Sequence, residues 1–215
     1  MPPSYPVTTE ALAEVFSDSS MQQAKRDFES ALARTGEFHG ATSQDVYDTA
    51  MVLLLRRARP ILAGYQRGLT DGLEGALWSA AVEASWKRFD ARFDEALLLQ
   101  FSGSRDVGDA LAAEFGLTNP VAPWHRRRDR IAAIVCSGAI YIGVLGRMAR
   151  DIQDVSKSVV PLAAAARMPG LAASFLSAMV QEDGWPLEAP IVSDAIQTIG
   201  AAIEAMAAAV TDLEE

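Results

Sequence analysis

The chain has 215 residues, half of them hydrophobic, and its 28 acidic against 19 basic side chains give a formal net charge of −9. That length is enough for one sizeable core, and we read residues 1–215 as a single helical domain. The acidic balance repels phosphate backbones and argues against nucleic acid as a partner, while a local Arg cluster can still hold a small anion.

Cys136 is the single cysteine, so no intrachain disulfide forms, which suits a reducing cytoplasm. The opening "MPPSYPVTTEAL" has no basic stretch followed by an apolar one, so no signal peptide is read there and a cytoplasmic location is expected. No Gly-rich phosphate loop is present, and the two histidines, His39 and His125, lack metal-ligand spacing, so no cofactor and no metal are expected.

Ala, Leu, Glu, Gln, Arg and Met favour helix, and no strand-like alternation of any length occurs. The first helix is expected over about Thr9 to Arg34, broken near "SDSS", with Phe16, Met21, Ala24, Phe28, Ala31 and Leu32 on one face. A second runs from about Ser43 to Tyr65, with Thr42 and Asp45 as a capping pair and Pro60 as a kink or end. "RGLTDGLEG" reads as a loop. A third helix covers about Leu73 to Leu99, and a short one Val107 to Phe115. The longest is expected from Trp124 to Ser156. "ARMPG" reads as a break, followed by helices over Leu171 to Gln181 and Ile191 to Leu213. This pattern predicts an all-α bundle of long antiparallel helices. The apolar run Ile131 to Gly146, flanked by "HRRRDR" and "RMARD", is short for a membrane span and reads as a buried core helix.

"GATSQDVYDTAMVLLLR" resembles the first signature region of the fumarase/aspartase superfamily, in particular its 3-carboxy-cis,cis-muconate cycloisomerase branch. "FSDSSMQQAKRDFESALAR", "LLLQFSGS", "ALAAEFGLTNPVAPWHRRRDR", "GVLGRMARDI" and "AAAARMPGLAASFLSAMVQEDGWPLEAP" resemble further segments of that branch, in the same order. The resemblance implies a helical lyase bundle, a carboxylate substrate and a homotetramer whose subunits share active sites. The departures are internal. The second signature region is reduced to "QRGLTDGLEGAL". The mobile loop whose Ser is the family's base is replaced by "QDVSKSVV", and the His of region one stands one place late, as Phe38, His39, Gly40. Lyase chemistry needs a base and an acid on opposite sides of the substrate, so the parent cycloisomerase activity is not expected.

The remaining polar groups define a candidate site. Thr42, Ser43, Gln44 and Asp45 open a helix, whose free N–H groups and positive dipole end suit an anion; the resemblance places substrate carboxylates there, and the alternative is a simple cap. His39, His125 and Glu182 are candidate proton carriers, Glu182 standing with Asp183 and Trp185 at a possible helix end. Arg126 and Arg130, four apart, would share a helical face and clamp a carboxylate; the alternative is a solvated helix entrance. Gln100 and Ser102 follow a helix end. The site is expected where the Thr42–Asp45 turn meets Trp124–Arg130, with His39 at its edge. The functional expectation is a cofactor-independent enzyme that binds a small carboxylate, aromatic or amino-acid derived. It would catalyse a cyclisation, isomerisation or condensation, a Pictet–Spengler-type closure among them, in a biosynthetic pathway. The alternative is an inactive homologue serving as a ligand-binding or partner protein. Gly138, Gly143 and Gly146 permit close helix approach, so a homo-oligomer, dimer or tetramer, is expected and a membrane partner is not.

Overall fold

The computed structural model describes residues 9–36, 41–74, 77–152, 155–181 and 185–211, the side chains of 155, 156 and 185 aside. Among these residues eight helices follow one another: α1 (Glu10–Val15), α2 (Asp18–Arg34), α3 (Ser43–Asp71), α4 (Ser79–Ala96), α5 (Arg105–Phe115), α6 (Asp129–Ala149), α7 (Val155–Ala178) and α8 (Trp185–Thr211). The architecture is all-α, and the only β-type pairing among the described residues is an isolated bridge between Leu98 and Thr118.

α6 and α8 form the middle of the bundle. α6 packs on α4, α7 and α8, and α8 packs on α7, α3, α6 and α1. Leu55, Ala58, Leu62, Gln66 and Leu69 of α3 recur at three or four residues and are all buried, as an amphipathic helix requires. A smaller cluster of Phe28, Leu32, Leu99, Phe101 and Leu111 joins α2 and α5 to the 97–101 segment. That segment lies beside the start of α3.

Several boundaries differ from the sequence reading. The break near "SDSS" is present, with Ser17 accepting the Ser20 N–H at the start of α2. α3, however, does not end at Pro60 and absorbs "RGLTD", making it the longest of the eight helices at 29 residues. Pro60 is exposed, so the Arg56 carbonyl that loses its helical partner lies on the solvent side, while Ala58 and Leu62 anchor the helix on the other face. α7 likewise continues through Pro161 and Pro169, so "ARMPG" is no break. α6 is shorter than expected: it begins at Asp129, and Trp124 to Arg128 form its approach.

By length and composition alone α6, Lys157–Ala178 and Pro186–Thr211 are each apolar enough to cross a membrane. They differ in how the bundle covers them. The α6 window is 56% buried and that of Lys157–Ala178 only 22%. Of the three glycines expected at a subunit contact, two serve the subunit itself. A Cβ on Gly146 would stand 2.4 Å from the Ala165 Cβ, and one on Gly138 would stand 2.5 Å from Ile199 Cδ1. Only Gly143 faces open space.

Candidate active site

The site is built on the first turns of α3. Thr42 caps the helix: its Oγ1 accepts the Asp45 N–H at 3.2 Å, and Asp45 Oδ2 accepts the Thr42 N–H at 2.8 Å. The expected capping pair is thus present in its reciprocal form. The same box fixes the direction of Asp45. Its other oxygen, Oδ1, accepts from Gln100 Nε2 at 2.7 Å and from Ser102 Oγ at 2.9 Å. Asp45 and Gln100 are fully buried, and each polar atom of their side chains has a partner.

Gln100 is the hub. Its Oε1 accepts the Trp124 N–H at 2.8 Å, and its Nε2 lies 3.3 Å from His125 Nδ1. A backbone N–H can only donate and a carboxylate with this many donors can only accept, so the orientation of the amide is fixed from both sides. Nε2 therefore donates to His125 Nδ1, which makes Nδ1 the accepting ring nitrogen and leaves the ring proton on Nε2. That Nε2 makes no hydrogen bond with the described residues. Thr49 Oγ1 pins the Gln100 backbone by donating to its carbonyl and accepting its N–H. Gln44 Nε2 reaches the His125 carbonyl at 3.4 Å.

One turn further along α3, Asp48 enters a buried ion triad. Arg128 gives Nη1 and Nη2 to the two Asp48 oxygens at 2.7 and 2.9 Å, and Nε to Glu188 at 2.6 Å. Its guanidinium carbon lies 5.1 Å from the Trp124 ring centre. Burial pushes the Asp48 carboxyl above its ordinary value, against the pull of Arg128. Burial also works against the Arg128 charge, but Asp48 and Glu188 outweigh it and hold the guanidinium protonated.

The sequence-predicted residues thus divide. Gln44, Asp45, Gln100, Ser102 and His125 come together. Thr42 belongs to the same box, yet Thr42 and Ser43 also line an open cleft of about 500 Å³ on the other flank of α3, with Lys25, Glu29 and Tyr47. The Lys25 ammonium sits 4.4 Å over the Tyr47 ring. Arg126 and Arg130 form no clamp: α6 starts after Arg126, so the two share no helical face, and Arg126 is exposed. The bidentate arginine is Arg128, and its carboxylates come from the chain itself. His39 and Glu182, with Phe38 and Asp183, lie outside the described residues, as does the Trp185 side chain. Asp48, Thr49, Arg128 and Glu188 were not singled out. Asp48 follows Asp45 by three residues, a spacing that puts both on one flank of α3; nothing in the sequence marks Glu188 as their neighbour.

The bundle superposes on the 3-carboxy-cis,cis-muconate lactonizing enzyme of Pseudomonas putida with a TM-score of 0.84 at 23% identity, over 95% of this chain and 74% of that one. A fumarate lyase from Mesorhizobium gives 0.85 at 20% identity, over 97% and 76%. The chain has the fumarate lyase fold. In sequence it resembles the 3-carboxy-cis,cis-muconate cycloisomerases of Bradyrhizobium diazoefficiens, 31% identical over 57% of this chain and 37% of that protein, and of Pseudomonas aeruginosa, 28% identical over 66% and 46%. No family model matches the chain. The fumarate lyase bundle is therefore present in a chain that spans less than half the length of these two curated relatives.

Proposed function

We propose that this lyase-fold chain binds a small carboxylate beside His125 and moves a proton on it, in an isomerisation or cyclisation that needs no cofactor. One observation carries the reading. Gln100 ties Nδ1 of a half-buried imidazole and leaves Nε2 as the ring nitrogen that exchanges a proton. The Ser102 hydroxyl and the start of α3 join that hub through Asp45, and the exposed Arg126 adds positive charge. The likeness to cycloisomerases supports a substrate of unsaturated-carboxylate type. The replacement of the family's serine loop by "QDVSKSVV" speaks against the parent reaction.

The test is calorimetric titration with cis,cis-muconate and 3-carboxymuconate. Binding that weakens at least tenfold in His125→Ala, with no turnover of 3-carboxymuconate by the parent protein, supports the reading. Equal binding by parent and variant would sink it. Clear turnover would mean that another group has taken the place of the loop serine.

A specific observation favours the alternative of a non-catalytic relative. Asp45 and Gln100 bond each other, the Gln100 oxygen takes the Trp124 N–H, and Arg128 spends its hydrogen bonds on Asp48 and Glu188. Failure of every carboxylate to bind would leave that alternative standing.

We infer further that copies of the chain associate through α7. Ala163, Ala166, Gly170, Ala173 and Ser177 of α7 follow at three and four residues and are all exposed, as is Val180 just past its end. Leu176 is 45% and Val180 78% exposed. An apolar helix with that much uncovered surface gains about 25 cal/mol for each Å² of apolar area that a second copy removes from water. Ala173→Glu should lower the mass measured by light scattering and leave helix content unchanged. A parent protein that is monomeric at micromolar concentration would end this inference.

A further inference from the structure

We propose that Arg128 is a positioning residue for His125, acting through Trp124 and Gln100. This rests on the reading of His125 as the proton carrier. Arg128 is 5% exposed and its guanidinium is spent on Asp48 and Glu188, so it is not itself offered to a substrate beside His125. Its reach is indirect and continuous. Asp48 on α3 and Glu188 at the start of α8 hold the guanidinium from two sides. The guanidinium plane lies over the Trp124 ring. Trp124 is itself tied at both ends, its Nε1–H donating to the Leu99 carbonyl at 3.1 Å and its backbone N–H to Gln100 Oε1 at 2.8 Å.

The last bond is one of two that hold the amide, the other being Nε2 to Asp45 Oδ1 at 2.7 Å. If Trp124 shifts, Gln100 Oε1 loses its donor while Nε2 keeps Asp45, and the amide is drawn off its longer, 3.3 Å contact with His125 Nδ1. Without that donor at Nδ1, neither ring nitrogen is favoured and the imidazole proton exchanges between them. The buried ion triad thereby fixes a chemical property of the imidazole in addition to holding three segments together.

The experiment needs no substrate. The chain has two histidines, so in a His39→Ala background the ¹⁵N spectrum of labelled protein reports His125 alone. The parent should show one protonated and one unprotonated ring nitrogen, with the proton on Nε2. Arg128→Lys keeps a positive charge between Asp48 and Glu188 but loses the planar fork over Trp124. Trp124→Phe keeps an aromatic ring and loses the bond to Leu99. With helix content intact by circular dichroism, each should bring the two ¹⁵N signals together through tautomer exchange. If Arg128→Lys does not fold, Trp124→Phe decides. A parent-like ¹⁵N pattern in folded variants would overturn the proposal and reduce Arg128 to an ion-pair partner. Adding cis,cis-muconate to the same samples tests the carboxylate reading separately: a parent whose His125 signals ignore it loses that reading, while the tautomer result stands by itself.

Discussion

The junction of α3 with the Gln100 and Trp124 segments and the outward face of α7 are opposite cases. At the junction, charged and amide side chains are buried and paired, from Asp45 to Glu188. On α7 and just past its end, small or apolar residues stand exposed from Ala163 to Val180. Burial of a polar group is tolerated when its hydrogen bonds are complete, and exposure of an apolar one costs little until another surface arrives to cover it. Polarity alone therefore tells the two regions apart in neither case; the partners do.

The comparison can be broken most forcefully at Arg128. Arg128→Met leaves Asp48 and Glu188 buried without their cation and should cost about 3–5 kcal/mol, read from chemical denaturation. A loss under about 1 kcal/mol would mean that water or another cation replaces the guanidinium. Replacing all three members with apolar residues of similar volume should recover most of that loss, since the penalty lies in the unpaired charges.

The two faces of α6 sharpen the contrast at smaller scale. Gly146→Val forces a side chain against Ala165 and should destabilise by about 1–3 kcal/mol. Gly143→Ala enters open space, and in a helix interior it should stabilise the subunit by up to about 1 kcal/mol. Thermal unfolding of the two variants should move in opposite directions. Destabilisation by Gly143→Ala would show that its face is already covered in solution.

The smallest effect is on pH dependence. Burial raises the folded-state value of Asp48 above that of the unfolded chain, so between the two the folded state binds the extra proton. The contribution of Asp48 to stability is then greatest below the unfolded value near 3.8 and declines as pH rises through the folded value. The melting temperature of the parent relative to Asp48→Asn should fall as pH rises across that window. A rising difference would show that the pull of Arg128 outweighs burial.

Much of the local structure was legible in the sequence. Thr42 and Asp45 gave the start of α3 because a capping box is satisfied within four residues. The break at Ser17 was visible for a similar reason, since its hydroxyl accepts from a residue three places on. The prolines misled because a helix tolerates the lost hydrogen bond where the orphaned carbonyl can meet solvent, and only the packed bundle shows which side of α3 that is. The expected arginine clamp failed because it assumed a helical register for Arg126 that the approach to α6 does not have.

The sequence by itself determined the helical class, the caps, the apolar faces and the likeness to cycloisomerases. Each rests on periodicity, on bonds within one turn or on ordered motifs. Tertiary structure alone decided which polar groups meet. Arg128 is 80 residues from Asp48 and 60 from Glu188 along the chain, and Gln100 joins Asp45 to His125 across 55 and 25. Contacts at such separations leave no local signature, because each partner by itself is only a polar residue near a helix end. The fold makes them specific by removing water, after which each buried donor and acceptor has to find its partner in the chain.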